Sequence, residues 1–174
     1  MTIPTNLNGF YASPTAINTD KKWIIAVVGR DILLAEGDAV TNHPVIDHDT
    51  AHPLSFFCQR KLTLGQWHGR DCEVWDLIPE AADAGGFNLV GLRDVLVLAG
   101  EEVFSLVCRA VQLLDWQDTH RFCGSCGKAN QATDKEHAMI CHECNISNYP
   151  RISPCIIVLV TRGDHCLLAR NGNW

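Results

Sequence analysis

Nowhere does the sequence hold the run of about 18 apolar residues that crossing a bilayer requires. Residues 1–13 carry neither a basic start nor an apolar stretch of the kind that opens a secretory signal. Membrane insertion and secretion are therefore not expected, and the expected location is the cytoplasm. Positive charge is also in short supply: 14 Lys and Arg stand against 20 Asp and Glu, a formal net charge of −6, so no overall field draws in a polyanion. The deficit is uneven. Residues 119–174 hold six basic side chains against four acidic ones, a net of +2, which leaves −8 on residues 1–118; a phosphate contact is expected only in the last third. The nine cysteines are an odd set, and in a reducing compartment metal binding or burial must account for them rather than disulfides. Residues 120–149 are poor in large aliphatics and cannot form a core alone. What is there, 174 residues of which 47% are apolar and 20% charged, suits one ordinary globular domain, or a small domain with a zinc-sized module, and not two full-sized domains.

Two β-hairpins are legible in the first half. Residues 22–35 read as two apolar runs around Gly29-Arg30-Asp31, and residues 62–67 and 72–78 flank a turn at His68-Gly69-Arg70. Between them, residues 41–53 are polar and Pro-containing and read as an irregular, solvated loop. Its His43, Asp47, His48, Asp49 and His52 are read as part of that loop rather than as a second metal site. After Gly85-Gly86 the apolar spacing lengthens: Val103, Phe104, Val107, Ala110, Val111 and Leu114 recur at helical intervals behind Glu101 and Glu102, which predicts the longest helix over 101–117. A shorter helix is expected over 89–98. Beyond Pro150, residues 155–161 are apolar on both faces, as a strand covered on both sides would be. With no sheet around it, such a run is a template for a second chain, so association through residues 155–170 is expected.

Cys123-Gly124-Ser125-Cys126 and Cys141-His142-Glu143-Cys144 form two CxxC pairs with 14 residues between them, close to the spacing by which zinc ribbons bring four thiolates to one tetrahedral ion. The residues that follow, Gly127 and Asn145, are the two types that best tolerate the left-handed backbone such knuckles need. A shell of four thiolates leaves no open position for water, so the zinc is expected to be structural and to substitute for the missing core. Cys58, Cys72, Cys108, Cys155 and Cys166 lie in apolar surroundings and are expected in the core.

Residues 120–128 (His-Arg-Phe-Cys-Gly-Ser-Cys-Gly-Lys), 136–141 (Glu-His-Ala-Met-Ile-Cys) and 149–158 (Tyr-Pro-Arg-Ile-Ser-Pro-Cys-Ile-Ile-Val) together resemble the middle of the NADH pyrophosphatases. These are Nudix hydrolases that cut NADH, and the NAD cap of RNA, into mononucleotides. The resemblance is dense over residues 92–169 and weaker before. It implies an α+β chain in three parts: a Nudix-like N-terminal domain of β-hairpins and a long helix at 1–118, a four-cysteine zinc ribbon at 119–150 holding Cys123, Cys126, Cys141 and Cys144, and the first strands of a Nudix domain at 151–174. It implies NADH, NAD+ or another dinucleotide as substrate, NAD-capped RNA as a further one, and a homodimer. Glu136, Tyr149 and Arg93 match substrate-side positions, with Tyr149 offering a ring to a base. Catalysis in the family depends on an Arg-Glu-x-x-x-Glu-Glu helix that holds Mg2+ or Mn2+ against the pyrophosphate. No such cluster occurs in these 174 residues, so the chain reads as the N-terminal part of such an enzyme, carries no assigned catalytic residue and is expected to be inactive alone.

The alternative from another class is a ribbon that binds nucleic acid. The local +2 allows it, but Phe122 and Tyr149 are its main aromatics and no dense basic stripe is present. An internal echo accompanies the resemblance: residues 24–35 and 156–169 both read as apolar strand, Arg/Asp turn, apolar strand, apart by a two-residue insertion.

Overall fold

The computed structural model describes residues 10–12, 22–37, 43–151, 153–170 and 172. Residues 41 and 42 of the expected loop lie outside that set. In chain order the sheet strands are β1 (Phe10–Ala12), β2 (Lys22–Val28), β3 (Asp31–Ala35), β4 (Ile46–Asp47), β5 (Cys58–Trp67), β6 (Arg70–Leu77) and β7 (Phe87–Val90). Both expected hairpins form. β2 and β3 pair antiparallel from Ala26↔Leu33 to Val28↔Asp31, and β5 and β6 close on a turn in which His68 (φ 47°) and Gly69 (φ 73°) are both left-handed, the signature of a type I′ turn. The hairpins join through the parallel pair β2–β6, in register from Lys22↔Asp71 to Val28↔Leu77. The sheet order is β1-β5-β6-β2-β3-β7, with β4 on the start of β2.

Burial on both faces explains the unbroken apolar run of β2. Ile25 and Val27 face one core with Ile32, Leu64 and Val74, whereas Ile24 and Ala26 face another with Leu33, Trp75 and Leu77. The first core is covered by helix α2 (Asp94–Thr119) through Val103, Leu106, Val107, Ala110 and Leu114. The second is covered by α1 (His48–Ala51) and the 3-10 turns His52–Phe57 and Pro79–Asp83, which contribute Ala51, Leu54 and Ala81. Arg60 ties the end of α2 to the sheet: its guanidinium donates to Asp76 at 2.7 Å and to Asp118 at 3.0 Å.

Four expectations need correction. Within α2, Gly100 (φ 78°, ψ 178°) is not helical and separates a short helix from the expected long one, but the short helix begins at Asp94. Leu89 and Val90 belong to β7, opposite Leu33 and Ile32, because the edge of β3 supplies backbone partners that the apolar spacing of 89–98 does not reveal. The stretch read as an irregular loop contains β4 and α1. Asp47 caps α1, accepting from the N–H groups of Asp49 and Thr50, each at 3.0 Å, and these bonds, Thr50 foremost, lower its pKa. Residues 153–160 form no strand, and Ile156–Val160 are exposed, Ile157 wholly so. Apart from the Leu167 N–H bond to the Val160 carbonyl at 2.9 Å, no described strand pairs with them, so the apolar pattern has no layer to be buried against. Only β11 (Thr161–Arg162) and β12 (His165–Cys166) pair there, after the ribbon strands β8 to β10 described below. Consequently Cys155 and Cys166 are exposed rather than core; Cys72 is buried, and Cys58 and Cys108 are half-buried. Desolvation raises the pKa of all three of these thiols.

The internal echo acquires a geometry. The turns Gly29-Arg30 and Gly163-Asp164 each join two paired strands, Val28↔Asp31 and Arg162↔His165, and each opens on a left-handed glycine, φ 64° and 59°. Matched on those glycines, the two Leu-Leu-Ala ends coincide without the two-residue insertion.

Candidate functional site

Residues 120–149 fold as a ribbon of short strands, β8 (Gln131–Ala132), β9 (Met139–Cys141) and β10 (Ile146–Asn148), ordered β10-β9-β8. Each CxxC pair closes a tight knuckle, and the two following residues are left-handed as expected, Gly127 at φ 72° and Asn145 at φ 53°. In the first knuckle Gly127 N–H donates to the Cys123 carbonyl at 2.8 Å, and Cys123 N–H donates to that of Lys128 at 2.7 Å. This local folding turns the four sulfurs of Cys123, Cys126, Cys141 and Cys144 to one place, all within 4.8 Å of one another, with Cys126 and Cys141 at 3.5 Å.

That arrangement fits a tetrahedral ion, since four Zn–S bonds of ~2.3 Å set sulfurs ~3.8 Å apart. The thiols are electrostatically unequal. Backbone N–H groups of Cys126 and Ser125 stabilise the Cys123 thiolate and bring its pKa down to about 7. Hydrogen bonding to Cys126, with desolvation, pushes Cys144 up to about 12. Four sulfurs crowded together cannot all ionise by themselves, and a divalent cation removes that repulsion. Across the knuckles Lys128 and Glu143 pair at 2.7 Å, but both are well exposed and the pair contributes little.

Two of the three expected substrate-side residues meet. The Tyr149 hydroxyl donates to Glu136 Oε1 at 3.0 Å, on the exposed side of the ribbon, and that bond raises the Tyr149 pKa. Glu136 is set in place by its own backbone: its carbonyl accepts from Thr133 Oγ1 at 2.6 Å and from Ala138 N–H at 2.8 Å. Arg93 does not join them. It is the exposed N-cap residue of α2, just after β7, and β7 lies four strand steps from β5, ~19 Å across the sheet.

Sequence reasoning missed how the ribbon is seated. Met139 is buried in the core between the sheet and α2, and His137 beside it is pushed down to a pKa of about 4, by desolvation first and then by the charge of Arg109. It also missed a cavity of about 420 Å³ between β5 and the Glu136 loop, lined by Lys61, Thr63, Gln117, Asp134, Glu136 and His137. No local signal announces that residues 61 and 136 line one cavity, because the intervening chain makes the whole of α2 first.

The comparisons with known proteins agree with this architecture. Residues 21–116 match the NADH pyrophosphatase-like rudimentary NUDIX domain, and residues 118–149 the NADH pyrophosphatase zinc ribbon domain. The chain therefore belongs to the NADH pyrophosphatase family of Nudix proteins. It is 43% identical over 159 residues to the NAD-capped RNA hydrolase NudC of Pseudomonas fluorescens (strain Pf0-1), covering 86% of this chain and 57% of that one. It is 43% identical over 109 residues to the protein of that name from Stutzerimonas stutzeri (strain A1501), covering 62% and 39%. The corresponding Pseudomonas aeruginosa (strain LESB58) protein is 40% identical over 131 residues, covering 72% and 47%. The chain thus spans about half the length of the curated relatives it matches. The family's zinc ribbon and the convergent cysteines support a structural zinc. No helix among the described residues is long and apolar enough to cross a membrane.

Proposed function

We propose that this chain is the scaffold and substrate-side portion of a cytoplasmic Nudix pyrophosphohydrolase that cleaves NADH or NAD+, and the NAD cap of RNA, into NMN(H) and AMP. Cys123, Cys126, Cys141 and Cys144 hold one structural zinc, and Glu136 and Tyr149 face the dinucleotide. The observation that supports this reading most directly is the Glu136–Tyr149 hydrogen bond within the matched ribbon. A carboxylate fixed beside a half-exposed ring offers a ribose or base an acceptor and a stacking face at once. Arg93, on the far side of the sheet, serves the substrate only if a second copy or the rest of the enzyme brings it there. The natural units are residues 1–118, 119–150 and 151–174, and the working enzyme is a homodimer.

Pyrophosphate cleavage needs a divalent ion against the developing charge and a water activated beside it. Among the described residues the convergent group of metal-ligating side chains is the cysteine cluster, whose soft, closed shell suits neither Mg2+ nor Mn2+. The Arg-Glu-x-x-x-Glu-Glu cluster on which the family's catalysis depends does not occur in these 174 residues, so in this reading no catalytic step is assigned to them and the chain alone is inactive. The test is NADH with Mg2+ or Mn2+ and chromatography of the products. The purified chain should release no NMNH or AMP, whereas an enzyme that adds the glutamate-rich helix should, and should lose affinity on Glu136→Gln. Turnover by the chain alone that disappears with Glu136→Gln would place the active site here and overturn the assignment.

A further inference from the structure

A second cavity, larger than the one beside Glu136, opens at the end of the sheet where β2 begins and β5 turns into β6. It measures about 600 Å³, within the range of small-molecule sites. Its walls are unusual in carrying four aromatic rings. Trp23 and Trp67 meet edge to face at 5.9 Å, His43 lies nearly parallel to Trp67, and His68 packs on Trp67 at 4.5 Å. The Trp67 ring is itself fixed, its Nε1–H donating to Glu102 at 3.0 Å, and the other face of this end is held by Arg70 stacked over Trp23. Such prepositioned rings offer planar surfaces at little entropic cost.

The polar groups select further. Glu36, Asp47 and Thr50 are the polar residues of the lining besides the ring-bearing ones. The Thr50 hydroxyl already donates to Asp47, at 2.8 Å, and His68 Nε2 and Trp67 Nε1 both meet Glu102. What the described residues leave to a ligand is the Glu36 carboxylate and the remaining lone pairs of Asp47, which already accepts from two backbone N–H groups, with the partnerless Trp23 Nε1–H as a donor. Among the described residues the lining holds no Lys or Arg, and the guanidinium of Arg70 is engaged over the Trp23 ring, so a phosphate there would face two carboxylates with no described cation in the lining itself. We propose that this cavity binds an aromatic heterocycle that bears an amino group and no phosphate, a nucleobase or nucleoside of the adenosine type. The ring stacks among Trp23, Trp67 and His43, and its amino and hydroxyl donors reach the Glu36–Thr50 rim. The site shares no residue with the Glu136–Tyr149 pair and does not rest on the pyrophosphatase reading.

The experiment uses the zinc-loaded chain without other divalent ions, following the indole N–H signals in 1H–15N correlation spectra as adenosine, inosine or AMP is added. Adenosine should shift the Trp23 and Trp67 signals and leave that of Trp75, buried in the opposite core, in place. Inosine, which lacks the amino group, and AMP, which adds a phosphate, should each bind at least ~5-fold more weakly, the scale of one rim hydrogen bond or repulsion. Glu36→Lys, at an exposed position that leaves folding intact, should narrow or invert the preference for adenosine over AMP. Absence of any shift at about 10 mM adenosine, equal binding of all three compounds, or an adenosine response untouched by both Glu36→Lys and His43→Ala would overturn the proposal.

Discussion

Lowering the pH from 7 to 5 should loosen the protein through His137, where the ribbon meets α2. Its ring is largely buried, its Nε2 has no partner among the described residues, and Arg109 is close enough to oppose a second positive charge. A hydrogen bond with the Leu64 backbone works the other way but is outweighed, so the folded pKa falls from 6.5 to about 4. The unfolded chain takes up this proton below about 6.5 and the folded chain only near 4, so stability falls as pH drops through that window and is regained as pH rises. At pH 5 the unfolded state has gained about one and a half pH units of protonation that the folded state lacks. At ~1.4 kcal/mol per unit, that amounts to ~2 kcal/mol. Urea unfolding at pH 7 and pH 5, with zinc saturating throughout, measures it. Cysteine and carboxylate protonation also acts in acid, so the quantity of interest is the difference between the native chain and His137→Gln, which keeps a polar side chain without the titration. The native chain should lose ~2 kcal/mol more than the variant over this interval. Equal losses, or an NMR titration placing His137 above pH 6, would refute the account.

Met139→Ala should detach the ribbon from the core while sparing the knuckles, costing ~2–5 kcal/mol in urea, with zinc content unchanged by elemental analysis. Gly100→Ala puts a Cβ on a backbone at φ 78°, ψ 178° that is nearly exclusive to glycine, and should cost ~1–3 kcal/mol although nothing lies within 4 Å of the added atom; an unchanged melting temperature would show that the helix is continuous there. Protein purified without added metal should carry one zinc per chain, and Cys141→Ser should release it and disorder residues 120–149 by amide exchange, leaving the sheet protected. A zinc-free, fully folded ribbon with intact thiols would contradict the four-thiolate assignment.

The parts of the fold that were legible in the sequence are those whose geometry is set within a few residues. The knuckles could be read because CxxC with Gly127 and Asn145 behind it fixes a turn by local sterics. The two hairpins followed from alternation and turn chemistry, and the helix after Gly100 from the spacing of Val103 to Leu114. Glu136 and Tyr149 could be picked out by resemblance, thirteen residues apart. Tertiary structure decided the rest. The apolar run 89–98 suits a strand or a helix equally, and only the free edge of β3 makes Leu89 and Val90 a strand. The same pattern at 155–161 stays exposed where no described sheet receives it. The parallel joining of β2 to β6, the seating of Met139 and His137 against α2, and the ring-lined cavity between β2 and the β5–β6 turn all unite residues far apart in the chain. Local pattern determines which face of a segment is apolar; which partner covers that face is settled by packing, a property of the whole core.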